Sequence, residues 1–352
     1  MMKDTLIIRA IRMASQQLDE PAFEHPEEVV SWMGAVQAQD YEMSKWAVGV
    51  RLKSATRAVV EQAIEKGRIL RAHVMRPTWH LVPAEDIRWM LKLSAAHIKS
   101  AAQSRDRELE ITESLFTKTN RLIENMLEGN KSLTRQEIAL ELNRVGIVAD
   151  GPRMNHFLIR AETEGIICSG VDKGRKPTYA LLEERVPPVR ELSKEESLAK
   201  LAERYFRSHS PASLYDFAWW SGLSITEARK AIHLIEPLLV ADRFAGQALF
   251  VHEACRESPG SSAVYFLPSY DEYLISYKDR TSILALEHHP KVFKLGTFYP
   301  MIVHHGEVVG TWNKSLKKNP LFTVTPSLFV PRSIPETLLQ TAADRYKAFQ
   351  KG

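Results

Sequence analysis

Gln37 and Gln39 stand one residue apart in the stretch MGAVQAQDYE (residues 33–42). A glutamine amide is a poor acid and a poor base, so the pair cannot run proton transfer. What it offers is hydrogen bonding and stabilisation of developing charge. The spacing matters for that task. In extended backbone both side chains point to one side, whereas in a helix they diverge by roughly 200°. The apolar helix that precedes them is therefore predicted to end near Val36. Asp40 would face away from both glutamines and reads as the N-cap of the next helix.

Other polar groups are less specific. Arg71, His73, Arg76 and His80 recur with a period near two and predict one polar strand face, suited to phosphate or to an ordinary solvent-facing edge. Lys173, Arg175 and Lys176 form a basic turn, and Lys314, Lys317 and Lys318 a second basic stretch that reads as a solvated loop or a phosphate contact. Trp219 and Trp220 are read as core packing ahead of base stacking. The pairs His288/His289 and His304/His305, if in strands, point to opposite faces, so no metal site is assigned. There is no Walker loop, dinucleotide glycine fingerprint, His-Glu-x-x-His or Gly-x-Ser-x-Gly. The two cysteines, Cys168 and Cys255, make neither a disulfide framework nor a Cys-x-x-Cys motif.

Helices and hairpins must position these groups. Residues 132–182 read as two helical periods, each closed by a glycine, followed by two β-rich runs joined by the basic tip VDKGRK. Helix, helix, hairpin is the order of a winged helix. A second copy lies in residues 210–252, with Ser213 and Ser224 as N-caps and Gly222 closing the first helix. A third, more divergent copy comprises helices over 26–36, 44–52 and 55–66, then the β-like run RILRAHVMRPTWHLV. From Val264 the chain turns strand-rich, VHHGEVVG reads as a hairpin turn, and a terminal helix over 335–350 follows. The predicted fold is α+β: three tandem winged-helix units and a small C-terminal β-barrel or sheet. The boundaries are 1–82 (first winged helix with the glutamine loop), 83–111 (connecting helix), 112–186, 187–263 and 264–352. The chain has 352 residues, 44% of them hydrophobic, a net charge of +4, and no window apolar enough to span a membrane. That balance permits a polyanionic partner, and a cytoplasmic location is expected.

The ordered set GAVQAQDYEMSKWAVGVRL, RAHVMRPTWHLVPAEDIRWM, SPASLYDFAWWSGL, LPSYDEYLISYKDR and GEVVGTW resembles the bacterial winged-helix DNA glycosylase superfamily. Within it, the match is to the Gln-x-Gln branch of the AlkZ-like enzymes that unhook interstrand crosslinks, over nearly the whole chain. The resemblance implies three tandem winged helices with a C-terminal barrel, and it makes Gln37 and Gln39 the catalytic pair. The segment from Thr78 to His80 departs from the usual Gly-Thr-Leu-His wording, with Pro77 and Trp79 in place.

That resemblance answers the chemical question. Alkylation at N7 makes guanine cationic and hence a good leaving group that needs no acid. A glutamine carbonyl can then hold the attacking water and face an oxocarbenium-like centre. An intact nucleoside would call for paired carboxylates instead. The expected function is a DNA glycosylase acting on cationic alkylated bases, N7-alkylguanine above all, including bulky adducts or crosslinks. Gln37 and Gln39 are the expected catalytic residues. Arg71, His73, Arg76, Thr78, His80, Lys173, Arg175 and Lys176 are the expected DNA contacts. No metal or cofactor is expected, the partner is double-stranded DNA, and the location is the cytoplasm at the nucleoid. A monomer is expected. The competing reading is a non-catalytic winged-helix regulator, in which Leu338, Leu339, Ala342, Ala343 and Tyr346 of the terminal helix would form a dimer stripe. A metal-dependent nuclease is a third reading, but it lacks a carboxylate cluster.

Overall fold

Local signals account for where most helices begin and end. The computed structural model describes residues 2–244, 246–255, 260–316, 322–331 and 334–352. Thr134 caps the helix Arg135–Arg144, Ser213 caps Leu214–Ser221 and Ser224 caps Ile225–Leu234. Each cap has an acidic residue three positions on that returns the bond, so two otherwise orphaned amides are satisfied reciprocally. Gly146, Gly165 and Gly222, with φ of 80°, 72° and 73°, end their helices in the left-handed region.

The result is a mixed α/β chain that divides into two compact units, one comprising Met1–Glu61 with Leu198–Gly352, the other Gln62–Ser197. In the second unit the helix Glu113–Leu127 precedes a short strand, Leu133–Thr134, and the helices Arg135–Arg144 and Gly151–Thr163 follow. The strands Ile167–Ser169 and Thr178–Leu181 then form a hairpin, with Thr178–Leu181 central in a three-stranded sheet. The sequence pattern had shown the two later helices and the hairpin. The leading helix and edge strand complete the set around a core that includes Phe116, Ile123, Ile138, Leu142, Phe157 and Ile167. An antiparallel hairpin, Ile69–Val74 with Thr78–Pro83, and the helix Ile87–Glu108 belong to this unit as well.

The first unit contains the helices Met2–Ser15, Pro26–Met33, Tyr41–Gly49, Lys194–His209 (from Leu198 on), Leu214–Ser221 and Ile225–Leu234, and a hairpin of Leu239–Phe244 with Gln247–His252. Its C-terminal part is a four-stranded antiparallel sheet in the order Phe322–Leu328, Glu307–Leu316, Met301–His304, Val264–Leu267. VHHGEVVG forms the expected turn, with His305 and Gly306 both at positive φ. Gly310 is required there: a Cβ would lie 2.5 Å from the carbonyl oxygen of Ser327 on the neighbouring strand.

The terminal helix, Glu336–Lys351, spends its apolar stripe inside this unit. Leu339, Ala342, Ala343, Tyr346 and Phe349 are all buried. Tyr346 packs edge-on to Trp46 and Trp312, at centroid distances of 5.3 and 4.8 Å. Phe349 lies so close to Gly49 that an added Cβ would meet its ring at 2.5 Å. Of the residues expected to form a dimer stripe, Leu339, Ala342, Ala343 and Tyr346 are therefore core, and Leu338 is half-buried. His288 and His289 are in a helical turn and not in a strand, while His304 ends a strand and His305 turns. Among the described residues no three His, Cys, Asp or Glu side chains group as metal ligands would, and no helix is long and apolar enough to cross a membrane.

Candidate active site

The glutamine segment starts from a helix that stops early. Pro26 opens the helix Pro26–Met33, which ends three residues before the expected end near Val36, and the chain leaves it at Gly34 with φ 80°. Packing sets this point. A Cβ on Gly34 would sit 3.2 Å from Cβ of Arg204 and 3.5 Å from the Trp220 ring, so the turn is pressed against the Lys194–His209 and Leu214–Ser221 helices. Val36–Gln37 then runs extended and the chain bends at Gln39, so the extended backbone expected across both glutamines covers only the first. Ala35, Val36 and Ala38 are wholly buried, and Gln37 is 7% exposed. Gln39 is exposed, and its side chain makes no hydrogen bond among the described residues. Asp40 is the N-cap of the helix Tyr41–Gly49: it accepts from Met43 N at 3.1 Å, and its other oxygen accepts from Ser269 Oγ at 2.9 Å.

The stretch LPSYDEYLISYKDR holds this segment at two points, Ser269 on Asp40 and Glu272 on Gln37. Glu272, 1% exposed, accepts the main-chain N–H of Gln37 on Oε1 at 2.6 Å. Its Oε2 accepts the Trp220 indole N–H at 3.0 Å and the Ser276 hydroxyl. Asp271 beside it is wholly buried and bound fork to fork by the wholly buried Arg51 guanidinium, at 2.8 and 2.9 Å. Arg51 also donates to Ala47 O and to Gln16. Trp46 Nε1 and Trp312 Nε1 donate to Phe266 O and Leu267 O, and Tyr273 donates to Gly306 O. Residues remote in sequence thus converge on the stretch 266–276, which in turn holds the glutamine segment. His209 stacks on Tyr205 at 4.8 Å, with its Nε2 3.8 Å from Glu272. Burial lowers the pKa of this imidazole and keeps it neutral.

A charged group flanks the helix after the glutamines. Lys45, 4% exposed, donates to Glu42 and Glu61, and Arg57 pairs with both. Burial works to raise the Glu42 carboxyl, but Lys45 and Arg57 outweigh it and hold the group below the usual carboxylate range. Of the tryptophan pair, Trp220 is core, while Trp219 is 41% exposed and donates to Ile275 O.

The remaining predicted site residues lie in the second unit. Arg71, His73, Arg76 and His80 do not share one strand, because the chain turns at Met75–Pro77. Hairpin register pairs His73 with Trp79 and Ala72 with His80, so Arg71 and His73 share one face and Thr78 and His80 the other. The expectation of a single polar face is corrected accordingly. The Arg71 guanidinium lies over Trp79 at 4.1 Å, and the His73 ring packs against the same indole, tilted by 40°, at 3.8 Å. His73 is 6% exposed, its Nδ1 2.5 Å from the buried Glu162, and its ring is locked inward. His80 is wholly buried and donates from Nδ1 to Thr78 O at 2.9 Å, so it offers a duplex no surface. Arg71, Arg76 and Thr78 stay partly exposed.

The basic turn of residues 173–176 is exposed, with Gly174 at φ 65°. Lys173 is bound to Glu137 at 2.7 and 2.9 Å, whereas the side chains of Arg175 and Lys176 have no partner among the described residues. Lys317 and Lys318 lie outside the described residues, and Lys314 sits over Phe322 at 4.5 Å.

Glu272, Asp271 and Arg51 were not foreseen. The acidic pair in LPSYDEYLISYKDR marks the first two in the sequence, but an Asp-Glu dipeptide next to an aromatic reads equally well as helix start.

The architecture matches a solved structure. Superposed on Streptomyces sahachiroi DNA glycosylase AlkZ, the chain gives a TM-score of 0.82 at 22% identity, covering 98% of this chain and 96% of that one. This likeness establishes the fold. A comparison with curated proteins gives no match. The sequence profile of the family described as "DNA glycosylase AlkZ-like" matches residues 30–349, from the helix before the glutamines to the last turn of the terminal helix. With nearly the whole chain inside that match, the protein belongs to the AlkZ-like DNA glycosylase family.

Proposed function

We propose that this protein is a monofunctional DNA glycosylase that hydrolyses the N-glycosidic bond of cationic alkylated bases, N7-alkylguanine first among them, with Gln37 and Gln39 as its catalytic pair. The observation that carries this reading is how the neighbouring carboxylates are used. Both oxygens of Asp40 accept donors, both oxygens of Glu272 accept donors, and Glu42 is held ionised by Lys45 and Arg57. None of the three is offered to protonate a leaving base. A cationic base leaves unaided: water forms the new bond to C1′, the C1′–N9 pair goes to the base and neutralises it, and the surplus proton passes to solvent. The exposed Gln39 amide and the Gln37 carbonyl supply acceptors for that water and negative dipoles toward the oxocarbenium-like centre.

In this reading the helix and hairpin sets over 1–82, 112–186 and 187–263 are three winged helices, 83–111 connects the first two, and the sheet of 264–352 completes the chain. Arg71, Arg76, Thr78, Arg175 and Lys176 face the phosphates of double-stranded DNA, with Lys173 shared with Glu137. The protein acts as a cytoplasmic monomer at the nucleoid without a cofactor. Burial of the terminal helix stripe counts against the dimeric regulator.

The test uses matched duplexes carrying N7-methylguanine, a bulky N7 adduct, a crosslink or a neutral lesion such as uracil, incubated with a chelator and then cleaved with alkali at abasic sites. Both cationic monoadducts should be removed, and uracil left. Efficient removal of uracil, or no removal of N7-methylguanine, would refute the proposal. Accepting the crosslink requires an open cleft, since a base tethered across the duplex cannot be fully rotated out.

A further inference from the structure

We infer that Glu272 is the positioning residue of the glutamine pair, holding the main chain of Gln37 so that both amides face the sugar; this rests on the catalytic reading of Gln37 and Gln39 given above. Glu272 is 1% exposed, and burying a carboxylate is costly unless donors satisfy it. Here each oxygen receives an N–H that can only donate: Gln37 N on Oε1 at 2.6 Å and Trp220 Nε1 on Oε2 at 3.0 Å, with the Ser276 hydroxyl also on Oε2. Trp220 is itself wedged beside Gly34, whose positive φ turns the chain out of its helix. The carboxylate therefore clamps the segment just after that turn.

Fixing the Gln37 N–H fixes the plane of the preceding peptide and with it the position of the Gln37 Cα from which the side chain projects. The wholly buried Ala38 passes the constraint on to Gln39. Misplacement by about 1 Å can cost on the order of a hundredfold in rate, so this hold bears on chemistry more than on binding. Asp271, locked by Arg51, carries the backbone from which Glu272 projects.

The test follows from counting donors. In Glu272→Gln the amide NH2 must face either the Gln37 N–H or the Trp220 N–H, and both are donors. Either the Gln37 N–H loses its acceptor outright, or the NH2 meets the Trp220 indole N–H and displaces the ring that packs beside Gly34; both loosen the segment. Trp220→Phe removes one of the two donors, so in the double variant the amide oxygen can turn to Gln37 while its NH2 meets the Ser276 hydroxyl, which can accept. The full-length wild type, E272Q, W220F, E272Q/W220F, Q37A and Q39A are compared by single-turnover excision of N7-methylguanine, by duplex affinity, and by hydrogen exchange of residues 34–40.

E272Q should excise 10- to 100-fold more slowly with affinity within about threefold of wild type, and its 34–40 segment should exchange faster. E272Q/W220F should be faster than E272Q, approach the rate of W220F, and regain protection. Two independent core lesions would instead compound. If E272Q is too unstable to assay, the double variant is measured against W220F alone: rates within about threefold support the clamp, and a tenfold deficit overturns it. Unchanged exchange in E272Q, or a double variant slower than E272Q, also overturns it. If exchange responds as described but Q37A and Q39A excise at the wild-type rate, the catalytic reading falls and the positioning role with it.

Discussion

Replacing Arg51 by Met tests the buried scaffold beneath the glutamine segment. Arg51 and Asp271 are both fully buried, and the guanidinium makes four hydrogen bonds: to Ala47 O at 2.8 Å, to Gln16 Oε1 at 2.9 Å, and to the two oxygens of Asp271 at 2.8 and 2.9 Å. Met fills most of the volume, so the loss is electrostatic and not a cavity. Deleting one partner strands a buried charge, which typically costs about 3–5 kcal/mol. Adding Asp271→Asn removes that charge, while the Asn oxygen can still accept from Tyr273 N, as Asp271 does at 2.9 Å. R51M/D271N should therefore lie within about 1–2 kcal/mol of wild type, the scale of the hydrogen bonds not replaced. The assay is denaturant unfolding combined with hydrogen exchange, because a chain of two compact units need not unfold in one step. The loss should be confined to residues 1–61 and 198–352. A cost below about 1 kcal/mol for R51M, or a double variant no more stable than the single one, would refute the argument.

Gln37→Ala and Gln39→Ala should each lower single-turnover excision at least about tenfold with little change in DNA affinity; full activity in both would remove them from the chemistry. Affinity for duplex DNA should fall steeply with salt, and removing Arg175 and Lys176 together should flatten the log–log slope by about 1.8, at about 0.9 per phosphate contact. Adding a Lys173 substitution should change the slope little, because Glu137 already holds that ammonium; an unchanged slope in the Arg175/Lys176 variant excludes the turn from the interface. Stability should be full above the ordinary histidine pKa near ~6.5 and decline as pH falls below it. The reason is that burial lowers the folded-state pKa of His209, so the unfolded chain binds the proton first. His209→Phe should flatten this decline, and an unaltered pH profile of unfolding would contradict it.

How much of this was legible in the sequence depends on the range of the interactions involved. Thr134 with Glu137, Ser213 with Asp216 and Ser224 with Glu227 close capping boxes within three residues, so the helix–helix–hairpin pattern could be read directly. The Asp40 cap and the basic turn of residues 173–176 are likewise short-range features and lie in the local elements expected of them. The end of the first-unit helix was not. Met33 is its last residue because Gly34 is pressed on Arg204 and Trp220, which lie about 170 and 186 positions away in the chain. The split of Arg71 and His73 from Thr78 and His80 required the turn after Met75, which puts His80 across from Ala72. Glu272 shows the limit most plainly: its hydrogen bond to Gln37 spans 235 residues. Composition and periodicity report which side chains are polar and which face they take within an element. Which buried carboxylate meets which backbone amide is decided only when separate elements pack, because burial, and the need to satisfy every buried donor and acceptor, exist only in the assembled core.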